Sequence, residues 1–222
     1  MVLSKKLTDA LFFDIGAQIG QYTMFVAKLG RKVVSVEPFI DNIYRIHKAI
    51  RQESLQDNVI LIQNAISNKR NEIKALNPSA NNIGAQSLMP QMHLTYERNE
   101  TNKYLVETIL LDDLVPFLPK NFDGSDFKKA IMKIDIEGFE AFAFQQASKL
   151  FDQLNFLFVF MEFRAMKAKK TSNEIRMRTQ AMLDFFVARK FAPIGVGGNY
   201  LKINMWHDWP EDMVWVKDMQ NY

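Results

Sequence analysis

Apolar residues fall into short continuous runs along the chain, separated by segments in which they recur every three or four positions. Runs of four to eight residues read as buried strands, and the longer periodic segments as helices. The first run is LFFDI at 11–15, followed by Ile19, Tyr22, Met24, Phe25, Val26 and Leu29 at helical spacing, with Gly30 as a stop. KVVSVE at 32–37 reads as the second strand, a helix capped by Asp41 or Asn42 follows over 41–54, and NVILIQ at 58–63 reads as the third strand. Residues 77–103 are polar and broken by Pro78, Gly84 and Pro90, which predicts an inserted loop holding one short strand. YLVETIL at 104–110 is strand-like, and Leu111-Asp112-Asp113-Leu114 opens a helical turn. The alternation then resumes: strand 130–135, helix 138–150, strand 155–162 and helix 173–190, then strands near 191–196 and 212–217 with no helix between them.

Strands alternating with helices imply right-handed crossovers and a parallel sheet with helices on both faces. The continuous apolar runs fit strands buried on both sides. The last two strands, joined without a helix, predict an antiparallel edge. The expectation is therefore an α/β, Rossmann-like, mostly parallel seven-stranded sheet in a single domain over 1–222. In such sheets ligands bind beyond the carboxyl ends of the strands. Those ends read Asp14, Glu37, Gln63-Asn64, Asp135 and Glu162, so four of the five carry an acid.

Composition narrows the chemistry. The chain has 222 residues, a formal charge of only +3 and no cysteine. Thiolate catalysis, disulfides and cysteine-bound zinc are excluded, and a charge so small and dispersed gives no argument for nucleic acid. His47, His93 and His207 lack metal-ligand spacing, so no metal site is assigned. No segment is apolar over the roughly 18–20 residues that span a bilayer, and no signal core precedes the first strand. A cytoplasmic location is expected if the chain is complete. The densest basic run, Lys167, Lys169 and Lys170 with Arg176 and Arg178 beyond, reads as a solvated face or as a site for an acidic partner.

The glycine pattern is Gly16-x-x-x-Gly20 preceded by Asp14. It lacks the G-x-G-x-x-G spacing that brings backbone against a pyrophosphate. An acid there suits a cofactor with a cationic end, and S-adenosylmethionine carries a sulfonium and an ammonium and no phosphate. Asp14 would face that charge directly or through water, with Asp14 as a plain helix cap as the alternative. Glu37, at the next strand end, can accept both ribose hydroxyls, as it would for NAD.

FFDIGAQIGQYT, VVSVEP, QNAIS at 63–67, MKIDIEGFE at 132–140 and FVFMEF at 158–163 together resemble the FkbM-type methyltransferases, class I enzymes that use S-adenosylmethionine. NIGAQSL at 82–88, ETILLDDL at 107–114 and the closing DMVWVK at 212–217 fit the same family, whose KIDIEGFE segment is the more specific signal. The resemblance implies O-methylation of a hydroxyl on a sugar, glycan or small natural product. By position it places Asp14, Gly16, Ala17 and Gly20 at the methionyl end, Glu37 on the ribose, Asn64 and Ala65 beside the adenine, and Asp135 beside the methyl group. Members usually carry a helical segment before the first strand. The first strand here begins near residue 11, so either the chain is part of a longer one or other parts bind the acceptor.

An alcohol acceptor needs a base. Asp135 or Glu137 can supply one with Lys133 as charge partner; alternatively Glu137 caps its helix and Lys133 ties the strand ends together through Asp135 or Glu162. Asp135 and Glu162 also present two oxygens to a divalent cation, without an obvious third ligand. The insert at 77–103 and the basic run are expected to select the acceptor, and Trp206 and Trp209 either stack on a sugar or pack. Two other readings stand beside the methyltransferase: a catalytically silent binding module of the same fold, and an NAD-linked oxidoreductase.

Overall fold

The computed structural model describes residues 9–77, 86, 88–89, 96–97, 99, 101–168 and 172–217. In chain order it builds β1 (Ala10–Ile15), α1 (Gln21–Lys28), β2 (Val33–Val36), α2 (Ile40–Gln52), β3 (Val59–Ile62), β4 (Ala65–Ile66), β5 (Ile73–Ala75) and β6 (Leu105–Ile109). A 3-10 turn at Leu111–Phe117 leads to β7 (Lys129–Ile134), α3 (Glu140–Ala143), α4 (Ser148–Gln153), β8 (Asn155–Glu162), α5 (Arg164–Ala168) and α6 (Asn173–Ala188). The chain closes with β9 (Phe191–Gly195), a 3-10 segment at Ile203–Asp208 and β10 (Asp212–Lys217).

The main sheet has seven strands in the order β3-β2-β1-β7-β8-β10-β9. β1 runs parallel to β2 and to β7, and β7 parallel to β8, while β10 is antiparallel to both β8 and β9. The reversal therefore lies at the expected end of the sheet, with β10 seated between β8 and the outermost β9. Pro193 sits within that outer strand, where a missing N–H is tolerated.

One face of the sheet packs Phe13, Ile15, Met132, Phe156, Met161 and Trp215 against α4 and α6 through Phe151, Leu183 and Phe186. Rings dominate this layer: Phe186 stacks on Trp215 at 4.4 Å and Phe151 on Phe156 at 4.1 Å. On the other face, Phe12, Val33 and Ile131 meet Val26 and Ala27 of α1.

Several elements depart from expectation for local reasons. The helix expected at 138–150 is broken into α3, a 3-10 turn at Phe144–Gln146 and α4. Glu137 and Gly138 have φ of 56° and 99°, which holds the chain out of the helix until Glu140. Glu140, Ala141, Phe142 and Ala143 are all buried, so this turn has no polar side to show a helical period. α2 begins at Ile40, and neither Asp41 nor Asn42 caps it: the cap position is Phe39, with no side-chain bond. β4, β5 and β6 form a second, three-stranded sheet that periodicity did not reveal, since β4 has two residues and β5 three. Most of the insert at 77–103, with the short strand expected in it, lies outside the described residues. Leu88 is described and bridges antiparallel to Leu76.

Candidate active site

The loop after β1 is set by its glycine. Gly16 has φ +75°, and a Cβ there would fall 1.9 Å from the Asp135 carbonyl oxygen. Only glycine lets the two strand ends approach this closely. The amides of Gly16 and Ala17 both donate to the Val36 carbonyl, and Lys133 Nζ donates to the Gly16 carbonyl at 2.8 Å. The tips of β1, β2 and β7 are thereby tied together.

A cavity opens at these tips. Its lining includes Gly16, Ala17, Glu37, Asn64, Ala65, Lys133, Asp135 and Glu137, so eight of the ten site residues expected from sequence converge there. The two others do not line it. Gly20 is the cap residue just before α1, with Ile46 packed where its Cβ would stand. Asp14 is fully buried, and its Oδ2 accepts from the amide of Thr23 at 2.8 Å and from the Thr23 hydroxyl at 2.6 Å. That is the helix-cap alternative: Asp14 holds the first turn of α1. Burial pushes its pKa up, against the pull of Lys133 and the Thr23 bonds.

Glu37 follows the end of β2 and is almost wholly buried. Its Oε1 accepts from the Phe39 amide at 3.0 Å and from Asn42 Nδ2 at 3.1 Å, and its Oε2 from the Gln18 amide at 2.8 Å. Asn42, expected as a cap, thus orients the carboxylate. Burial outweighs these bonds and raises the Glu37 pKa to about 7. Asn64 Nδ2 donates to the Glu107 carbonyl, fixing the side chain beside Ala65.

Across the cavity, Asp135 Oδ2 lies 3.6 Å from Lys133 Nζ, while its Oδ1 is shielded and has no hydrogen-bond partner in the structure. Glu137 does not cap α3; it stands in a left-handed turn and faces Arg164 at 3.7 Å. Arg164 also pairs with Glu162 at 3.3 Å, and burial together with Asp135 lifts the Glu162 pKa to about 7. Lys133 therefore pairs with Asp135 and not with Glu162.

Glu140 was missed from sequence. It is fully buried, and its Oε1 accepts from the Ile136 amide at 2.8 Å, which pins the turn carrying Asp135 and Glu137. Burial raises its pKa to about 7. Gln18, Tyr22, Gln86, Leu88 and Phe139 also line the cavity without having been expected there. Gln18 and Phe139 sit inside the quoted glycine and KIDIEGFE segments, and Gln86 inside NIGAQSL, so those motifs held the signal. Tyr22 carried none, being one of several apolar positions on α1.

No group of three or more metal-ligating side chains occurs among the described residues. Trp206 and Trp209 are buried against Phe163. Of the basic run, Arg178 pairs with Glu174 and lies over the Phe142 ring, and Lys169 and Lys170 fall outside the described residues. Among the described residues no helix is long and apolar enough to cross a membrane.

The model of the FkbM methyltransferase domain matches residues 14–191. The chain belongs to the FkbM methyltransferase family. No curated protein matches the sequence. Among solved structures the chain is similar to an O-methyltransferase from Bacillus cereus in complex with SAH, at 14% identity over 96% of this chain and 76% of the other, with a TM-score of 0.48. It is also similar to an rRNA methylase from Streptococcus thermophilus, at 12% identity over 95% and 87%, with a TM-score of 0.46. Likeness at this level says nothing about the acceptor.

Proposed function

We propose that this FkbM-family methyltransferase takes its methyl group from S-adenosylmethionine and passes it to a hydroxyl of a sugar or small natural product. One observation carries the choice of donor: among the described residues the cavity lining holds three acidic side chains, Glu37, Asp135 and Glu137, and one ammonium, Lys133, already bonded to the Gly16 carbonyl. A pyrophosphate would be repelled by such a lining, which counts against a dinucleotide. A ligand with a sulfonium and an ammonium is attracted by it.

Glu37, held by three donors, would accept the ribose hydroxyls. Ala65, Ile66, Leu88 and Phe139 offer apolar surface to the adenine beside Asn64. Gly16 and Ala17 leave room along the methionyl part. The bound cofactor supplies an electrophilic methyl on positively charged sulfur, which an oxygen must approach in line. Holding that alignment is worth much of the acceleration.

Asp135 is the base in this reading. Its side chain lines the cavity, and because Oδ1 is shielded, Oδ2 beside Lys133 is the oxygen that would take the proton. Glu137 ranks second because Arg164 already engages it. Asp135→Asn is expected to slow transfer of labelled methyl to a panel of sugar and phenol acceptors by roughly a hundredfold or more, with cofactor affinity held within a few-fold. Unchanged turnover in that variant would remove Asp135 from the role. Tight cofactor binding with no methyl transfer to any hydroxyl would favour the silent binding module.

A further inference from the structure

A second cavity adjoins the first and shares Tyr22, Lys133 and Asp135 with it. Its walls come from three neighbouring strands: Phe158 and Phe160 of β8, Val214 and Val216 of β10, and Ile194 of β9. The register explains why these side chains meet. Val214 lies opposite Phe160 on one side and Ile194 on the other, and Val216 opposite Phe158. Alternate residues of each strand project to the same face of a sheet, and here that face is apolar. The rings of Phe158 and Phe160 lie 6.3 Å apart and nearly parallel. Charged groups gather at one end, where Lys133, Asp135, Glu162 and Asp212 join the lining. Val196, at the rim, is 81% exposed, so apolar surface runs out to solvent.

We propose that this groove binds the methyl acceptor, and that the acceptor is an alcohol or phenol with an apolar body. The proposal rests on the methyltransferase reading above and narrows its substrate class. A ligand with an apolar body and one polar end matches an apolar wall whose polar groups converge at one end. A free sugar carries hydroxyls all round its ring. Those turned toward Phe158, Phe160 and Val214 would lose water without gaining a partner. The continuity of the two cavities at Asp135 sets the chemistry. The acceptor oxygen forms a bond to the methyl carbon as the carbon–sulfur bond breaks and its electrons return to sulfur, and the hydroxyl proton passes to Asp135. The products are the methyl ether and the neutral thioether.

The test uses 2-naphthol as the probe and methyl α-glucoside as the contrast, both titrated into the full chain saturated with S-adenosylhomocysteine. Cofactor binding is measured first and separately, so that failure of the methyltransferase reading and failure of the groove are told apart. The expected result is saturable binding of 2-naphthol, weakened about tenfold or more in Phe160→Asp and in Val214→Ser, with no binding of the glucoside. Both variants must keep the wild-type circular dichroism and cofactor affinity; two chemically different variants guard against one misfolding. Naphthol affinity unchanged in both folded variants would overturn the proposal, as would glucoside binding tighter than naphthol. So would a change confined to the oligomeric mass of Phe160→Asp, which would make the face a contact between copies of the chain.

Discussion

Glu37 and Glu140 are carboxyls held in place by backbone amides yet buried deeply enough that each has a pKa near 7, about 7 in both cases. Their folded pKa values lie above the unfolded reference of 4.5, so the native state keeps these protons longer than the unfolded chain does. Each therefore contributes stability below about pH 4.5 that is lost as pH rises through about 7. Thermal melts of the wild type are expected to show a falling midpoint from pH 5 to pH 8, with a shallower fall in Glu140→Gln, whose side chain keeps an acceptor for the Ile136 amide. A midpoint that rises across this range, or an equally steep fall in the variant, would contradict the burial account. Glu37 was legible from its place at a strand end. Glu140 was not, because a glutamate inside a helical pattern reads as solvent-facing, and only the tertiary packing of α3 shows it buried.

At the level of elements, α1 depends on Asp14. The sequence left two roles open for this residue, a counter-charge for the cofactor and a helix cap, and the bonds to Thr23 support the cap. Asp14→Asn keeps an acceptor oxygen and suits a site where burial already disfavours the charge. It is expected to cost under about 1 kcal/mol and to leave cofactor affinity unchanged, whereas Asp14→Ala should cost about 1–2 kcal/mol. Urea unfolding of the two variants checks this; a folded Asp14→Asn protein that lost cofactor binding would restore the counter-charge role. The strands of the main sheet were legible because each buried run is long enough to stand out, from LFFDI to NFLFVFME. The small sheet was not, since its short strands are fixed by pairing with β6 and not by their own pattern. The break of the 138–150 helix followed from positive φ at Glu137, which its residue type does not announce.

Across the whole molecule, the strand order carries the tips of β1, β2 and β7 to one edge, where Gly16 packs on Asp135 and Lys133 fastens the loop. The first cavity and the apolar groove share Tyr22, Lys133 and Asp135 there, so in the proposed reading one alignment serves donor and acceptor. In the proposed reading this cavity, acidic and anchored by Glu37, binds S-adenosylmethionine. The most direct measurement is calorimetric titration of S-adenosylmethionine and S-adenosylhomocysteine into the wild type and into Glu37→Ala. Saturable one-to-one binding of both ligands is expected, weakened about tenfold or more by the loss of the carboxyl oxygens that accept the ribose hydroxyls. No heat of binding from either ligand in a folded protein, or equal affinity in Glu37→Ala, would contradict it.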